Sequence, residues 1–190
     1  MTDPYIGPDG VLLNRLGITD PAELQTAEAD ITAARLIALG QLRIGGDYDL
    51  DHLRAFHRFI FADIYAWAGE LRTVDIAKYD AFCRCAHLGG YAGEVFGNLK
   101  AAKWPTDPDR DVFIVGLAEA YADINALHPF REGNGRAQRA FVQQFAASVG
   151  RPLTWAGLDA EQNEAASIAG FRGDLEPLVT MLDKHVTREG

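Results

Sequence analysis

The sequence predicts an all-α fold, a bundle of helices joined by loops with room for one short strand. Three observations carry this. Apolar residues recur every three to four positions, as Leu53, Phe56, Ile60, Ile64 and Trp67 do, which is the period of a helix buried along one face. Capping residues stand where such stretches start, and glycine or proline where they end. Only Arg72-Thr73-Val74-Asp75-Ile76 alternates polar and apolar side chains with the period of a strand.

The elements follow in order. Pro4, Gly7, Pro8, Gly10 and Gly17 make residues 1–19 an extended lead-in. Asp20-Pro21-Ala22-Glu23 then opens a helix, with Asp20 as cap and Pro21 at the first helical position, running to about Leu42 before Gly45-Gly46. Asp47, Asp49 and Asp51 alternate before the next helix; they lack the layout of a calcium loop, so a cap and solvated charges account for them. That helix runs from Leu50 to Trp67, and Gly69 ends it. The strand-like stretch follows as half of a hairpin. Helix returns from Tyr91 to Ala102, and Trp104 to Pro108 forms a loop. Asp109 or Asp111 caps a largely buried helix ending at Leu127. After the loop His128–Gly135, a helix spans Arg136 to Val149, closed by Gly150 and Pro152. Two more fit Asp159 to Ile168 and Asp174 to His185.

A length of 190 residues suits one domain with a small extension, and 48% hydrophobic with 24% charged residues excludes disorder for most of it. A net charge of -9 disfavours a broad nucleic-acid face and still allows a local basic pocket. Cys83 and Cys85 have no second pair to complete a zinc site and read as reduced thiols, which suits a cytoplasmic protein. No signal peptide and no membrane-length apolar run is expected. His52 and His57 are five apart, on different helical faces, so surface or core roles are favoured over a metal site. Trp67, Trp104 and Trp155 read as core or interface residues.

The chemistry concentrates in His128-Pro129-Phe130-Arg131-Glu132-Gly133-Asn134-Gly135-Arg136-Ala137-Gln138-Arg139. The loop feeds the N-terminus of a helix, where free N–H groups and the helix dipole attract anions. Gly133 and Gly135 let a phosphate approach the backbone, and Asn134 adds an amide. Arg136 and Arg139 are three apart and share a helical face, ready for phosphate oxygens. A single carboxylate, Glu132, facing phosphates suits Mg²⁺. His128 has an imidazole able to take a proton near neutrality. A base, a metal ligand and a phosphate cradle together are what phosphate-centred transfer requires.

This stretch resembles the signature of the Fic family (filamentation induced by cyclic AMP), His-Pro-Phe-x-(Asp/Glu)-Gly-Asn-Gly-Arg-x-x-Arg, at every fixed position. Ile64 to Val74 is similar to the segment leading into the family's flap, and Gly173 to Leu178 to its C-terminal helix. The resemblance implies a Fic domain over residues 46–190, with residues 1–45 as an N-terminal extension and helix packed on it. The implied fold is a helical bundle with a small β-hairpin flap. The implied activity is that of a protein adenylyltransferase, moving AMP from ATP to a Tyr, Thr or Ser hydroxyl of a target protein. His128 would be the general base, Glu132 the Mg²⁺ ligand, and Gly133, Asn134 and Gly135 the phosphate cradle. Arg136 would contact the outer phosphates and Arg139 the γ-phosphate. The flap near Lys78 to Phe82 would clamp the target by strand addition, and Lys78 is a further candidate for the nucleotide. Relatives with lysine in place of Gly135 act as kinases. A phosphotransferase or other nucleotidyl transfer on the same fold, and a non-catalytic nucleotide-binding scaffold, are the alternative readings.

Many relatives carry an inhibitory (Ser/Thr)-x-x-x-Glu-(Gly/Asn) helix. Thr19 with Glu23 has the spacing, but Leu24 follows; Glu189-Gly190 has the ending, but His185 stands four before it. The chain thus resembles the class whose inhibitor is a separate small protein, a toxin–antitoxin pair in which the partner's glutamate meets Arg139.

Overall fold

The computed structural model describes residues 3–78, 81–101 and 105–187. Four of its helices open on an aspartate whose carboxylate accepts from the first free N–H groups, which fixes their starts locally. Asp20 caps α1 (Pro21–Leu39) through Ala22 and Glu23, both at 2.9 Å. Asp49 caps α2 (Leu50–Phe61) through His52 at 2.9 Å. Cys85–His87 is a short 3₁₀ turn that leads into α3 (Leu88–Ala101). Asp109 caps α4 (Arg110–Leu127) and Asp159 caps α6 (Ala160–Phe171). Between these two lies α5 (Asn134–Ser148), and α7 (Glu176–His185) closes the order.

The buried centre is α4. Phe113, Leu117 and Leu127 are fully covered, and the helix packs on α3, α5, α6 and α7. One narrow face stays exposed, at Asp111, Val112, Val115, Glu119 and Asp123, and most of the rest of the helix is apolar and covered. A second apolar cluster joins α1 to α2 through Leu24, Ile60, Phe61, Ile64 and Tyr65. The helical bundle is therefore the one expected, with α5 crossing α2 on one side and α4 on the other.

Several boundaries differ from expectation, each for a tertiary reason. The first helix stops at Leu39, where Gly40 donates to Ile37 O at 3.0 Å in a tightened last turn. The second stops at Phe61, six residues before Trp67. Its apolar pattern continues because the following turn also faces the core: Tyr65 is 1% exposed and stacks on Trp67 at 4.3 Å. Gly69 ends that turn at φ 82, where a Cβ would sit 2.9 Å from Arg54 O. Trp104 lies outside the described residues.

No strand forms at Arg72–Ile76. Among the described residues the segment shows one isolated antiparallel bridge, Ala77 to Ala81, rather than a hairpin ladder. Its polar groups are taken elsewhere. Arg72 N donates to Pro129 O at 2.9 Å, Thr73 N to Tyr5 Oη at 3.1 Å, and Cys85 N to Asp75 Oδ1 at 2.7 Å. The alternation was also misleading at Arg72, whose side chain is only 2% exposed. Tyr79 and Asp80, the middle of the expected flap, lie outside the described residues, as do Glu189 and Gly190. Cys83 and Cys85 are free thiols, both raised above the usual range. Burial raises Cys83, and a hydrogen bond to Asp75 raises Cys85.

Candidate active site

The loop between α4 and α5 is held from within. Pro129 disfavours helical backbone at the residue before it, which stops α4 there, and His128 leaves the helix in the left-handed region at φ 44, ψ 61. Phe130 is fully buried beneath the loop. The Asn134 amide grips it: Oδ1 accepts from Phe130 N at 2.8 Å and Nδ2 donates to Phe130 O at 2.7 Å. The Asn134 side chain thus stitches the loop closed. α5 begins at Asn134, two residues before the expected Arg136, with Gly133 at its N-cap at φ 78. Unlike the aspartate-capped helices, α5 has no side chain on its first N–H groups, so these donors face whatever enters the cleft.

His128 is set up as a base. Nδ1 lies 3.2 Å from Asn125 O, and a carbonyl only accepts, so Nδ1 carries the proton and Nε2 keeps its lone pair. Burial lowers its pKa to about 4, with Arg72 and Lys78 adding to the effect and the Asn125 carbonyl opposing it. The imidazole is therefore neutral near pH 7. Phe82 stacks flat on it, centroids 3.7 Å apart and planes within 13°.

Glu132 is placed by His57, for which the sequence predicts a surface or core role. His57 is fully buried between the rings of Phe130 and Phe61, at 3.9 and 4.6 Å. Its Nδ1 accepts from Gly69 N at 2.8 Å, so Nε2 must donate to Glu132 O at 2.9 Å. Burial keeps His57 neutral, with its pKa lowered to about 4. One ring thus ties the turn after α2 to the carboxylate-bearing residue of the loop. The Glu132 carboxylate accepts from Gly133 N at 2.8 Å through Oε1. At Gly133 a Cβ would lie 2.2 Å from Phe61 Cζ, so only glycine fits.

His128, Glu132, Gly133, Asn134, Gly135, Arg139 and Lys78 line one cleft of about 580 Å³. Asn163, Glu164 and Ser167 of α6 form its far wall. Arg139 lies beside the buried Tyr121 hydroxyl. Lys78 pairs with Glu164 across the mouth. Arg136 is the exception. It turns to α1, where Nη2 meets Glu28 Oε1 at 2.5 Å and Nη1 donates to Thr32 Oγ1 at 3.2 Å. It lines a second groove of about 500 Å³ between α1 and α5, which it shares with Arg139. Reaching the outer phosphates would require Arg136 to leave Glu28.

Arg72 was also overlooked. Its guanidinium donates to the carbonyls of His128 at 2.9 Å, Val74 at 2.8 Å and Cys83, tying the flap base to the motif loop. An arginine placed at an apparently alternating position three residues before Asp75 carries no local signal of such a role. Three or more His, Cys, Asp or Glu side chains do not converge anywhere among the described residues. A cation at Glu132 would therefore complete its shell with phosphate oxygens and water, the habit of Mg²⁺.

Known proteins resemble this chain along nearly its whole length. The model of the Fic/DOC family matches residues 47–146. The chain is 38% identical over 192 residues to the Escherichia coli K12 protein named Probable protein adenylyltransferase Fic, covering 99% of this chain and 94% of that one. It is 34% identical over 187 residues to Protein adenylyltransferase VbhT of Bartonella schoenbuchensis, covering 97% of this chain and spanning 39% of VbhT. The crystal structure of BepC from Bartonella tribocorum, with bound AMPPNP, shares the fold at a TM-score of 0.90 and 18% identity, over 98% of this chain and 97% of that one. Motif, helical bundle and kinship over nearly the whole length together establish that the chain belongs to the Fic/DOC family.

Proposed function

We propose that this protein is an adenylyltransferase that moves AMP from ATP onto a Tyr, Thr or Ser hydroxyl of a target protein. The observation that carries the reading is the meeting of a neutral, Nδ1-protonated His128 with the uncapped N-terminus of α5 in one cleft. Relatives at 34–38% identity bear the name protein adenylyltransferase, which supports it.

In this reading the free Nε2 of His128 takes the proton of the attacking hydroxyl. The hydroxyl oxygen bonds to the α-phosphorus as the bond to the leaving pyrophosphate breaks. Backbone amides at Asn134 and Gly135 bind the phosphates at the positive end of α5, joined by Gly133 N once the Glu132 carboxylate that now accepts from it turns to the cation, while the Asn134 side chain keeps the loop in shape. Arg139 binds the γ-phosphate, and Lys78 adds positive charge at the mouth. Glu132 would hold Mg²⁺ together with phosphate oxygens; the cation would neutralise charge on the α- and β-phosphates. Gly135 resembles the AMP-transferring members of the family, whose kinases carry lysine there, and a Cβ at this position would also press on Arg139 Nη1 at 3.2 Å. A target segment docks by strand addition along the flap near Lys78 to Phe82, beside the isolated Ala77–Ala81 bridge.

The protein acts in the cytoplasm as the toxin of a toxin–antitoxin pair; no helix among the described residues is long and apolar enough to cross a membrane. The antitoxin glutamate meets Arg139, which lines both the cleft and the groove beside α1.

The test is incubation with a cell lysate and ATP labelled at either the α- or the γ-phosphorus. Label should pass to protein from the α-position only, and His128→Ala should abolish it. Transfer from the γ-position would make the enzyme a kinase. An isolated chain that is inert until part of itself is removed would refute the separate antitoxin.

A further inference from the structure

We propose that Glu28 of α1 is a positioning residue for the transfer reaction, acting by holding Arg136 so that the Glu132 carboxylate stays available to a cation. The inference rests on the reading of Glu132 as a metal ligand. Glu28 lies outside the stretch matched by the family model, which begins at residue 47.

Arg136 stands between two carboxylates. Its Nη2 is 2.5 Å from Glu28 Oε1 and 3.5 Å from Glu132 Oε1. Nη1 is anchored on Thr32, and the guanidinium lies 4.8 Å above the Phe61 ring. The same ring closes off the space beside Gly133, so one side chain of α2 supports both the arginine and the loop. The Glu28 side chain is only 13% exposed, and its second oxygen accepts from the Tyr65 hydroxyl. Burial and this carboxylate push the Tyr65 pKa far up, so the hydroxyl stays a donor. Glu28 is thus a built acceptor with both oxygens engaged, on a helix fixed by its own aspartate cap.

The charge balance gives the role. Glu28 and Glu132 contribute two negative charges around one guanidinium. While Glu28 takes the short contact, the pull of Arg136 on Glu132 is long and weak, since Coulomb attraction falls with distance and each donor serves one acceptor best. Without Glu28, Arg136 has Glu132 as its remaining carboxylate, and a close pair there competes directly with a cation. Residues that orient a metal ligand typically alter metal affinity by about 10–100-fold. An inhibitory role fits less well, because Glu28 meets Arg136 outside the cleft and leaves Arg139, the arginine lining the cleft, untouched.

Glu28→Gln keeps the shape and the acceptor for Tyr65 while removing the charge. ATP binding is followed by calorimetry across a Mg²⁺ series, beside the rate of label transfer and the melting temperature. The half-saturating Mg²⁺ concentration should rise about tenfold, the low end for such residues because the Arg136–Glu132 contact is long. ATP binding without Mg²⁺ should be unchanged, and the rate should recover at high Mg²⁺. Glu28→Asp, which keeps the charge but shortens its reach, should shift in the same direction by less, and serves if the glutamine variant does not fold. On an Arg136→Met background, Glu28→Gln should add no shift. An unchanged Mg²⁺ dependence overturns the proposal, as does faster transfer, or equal loss of ATP affinity with and without Mg²⁺. Those failures leave the adenylyltransferase reading standing. A wild-type protein that ignores Mg²⁺ and ATP altogether overturns both.

Discussion

Replacing Arg72 by alanine tests how the catalytic loop is held. Arg72 is 2% exposed, and burial lowers its pKa without removing its charge at neutral pH. Its three donors satisfy the carbonyls of His128, Val74 and Cys83. A hydrogen bond from a charged donor contributes about 1.5–3 kcal/mol, and water entering the vacated space recovers part of that, so a net loss of about 3–5 kcal/mol is expected. For a chain of this size each kcal/mol lowers Tm by roughly 2–4 °C, which puts the drop near 10 °C. Lysine at this position keeps the charge but not the planar fork, so it should recover only a minor part. Methionine restores the volume without the donors and should melt close to alanine. Melting is followed by calorimetry, and label transfer is measured below the lowest Tm, where Arg72→Lys should still be slow because the His128 carbonyl loses its anchor. An alanine variant melting within about 2 °C of wild type, or a lysine variant equal to wild type in both assays, would show that these carbonyls find other partners and that the loop is held elsewhere.

Acid should unfold the protein early. His57 and His128 are held neutral down to about 4, against 6.5 in an unfolded chain. Between those values the unfolded chain binds more protons, so stability is complete above 6.5 and is lost as pH falls towards 4, by about 3 kcal/mol per imidazole. Denaturant midpoints from pH 8 to 4 check this, and a flat profile would contradict it. Gly133→Ala should cost about 2–4 kcal/mol, because its Cβ would both meet Phe61 and sit at positive φ; urea melts measure the loss, and a near-neutral result would show that Phe61 can move aside. His57→Phe, which keeps the ring stack but strands Gly69 N and Glu132 O, should lose about 2–4 kcal/mol. Glutamine there retains one donor and one acceptor and should lose less; the order of the two Tm values decides.

Local chemistry was legible without a structure. An aspartate ahead of an apolar repeat caps a helix whatever lies around it; Asp20 does so where expected, and Asp109 is the one of the two expected candidates that does. The loop from His128 to Arg139 was equally readable, since a base, a carboxylate, two glycines and a helix start lie within one short stretch. What stayed hidden depends on partners far along the chain. Arg72 looked like the solvent side of a strand until three distant and local carbonyls enclosed it. His57 read as an ordinary surface or core residue until Gly69 and Glu132 fixed its tautomer. Arg136 looked like a phosphate ligand because helical spacing puts it on the face of Arg139, yet α1 presents Glu28 to it across more than a hundred residues. Capping and periodicity act over a few residues and are written in order along the chain. Which buried charge meets which carbonyl or carboxylate is decided only when the helices pack, because there an unpaired polar group costs more than the local preference of any one segment.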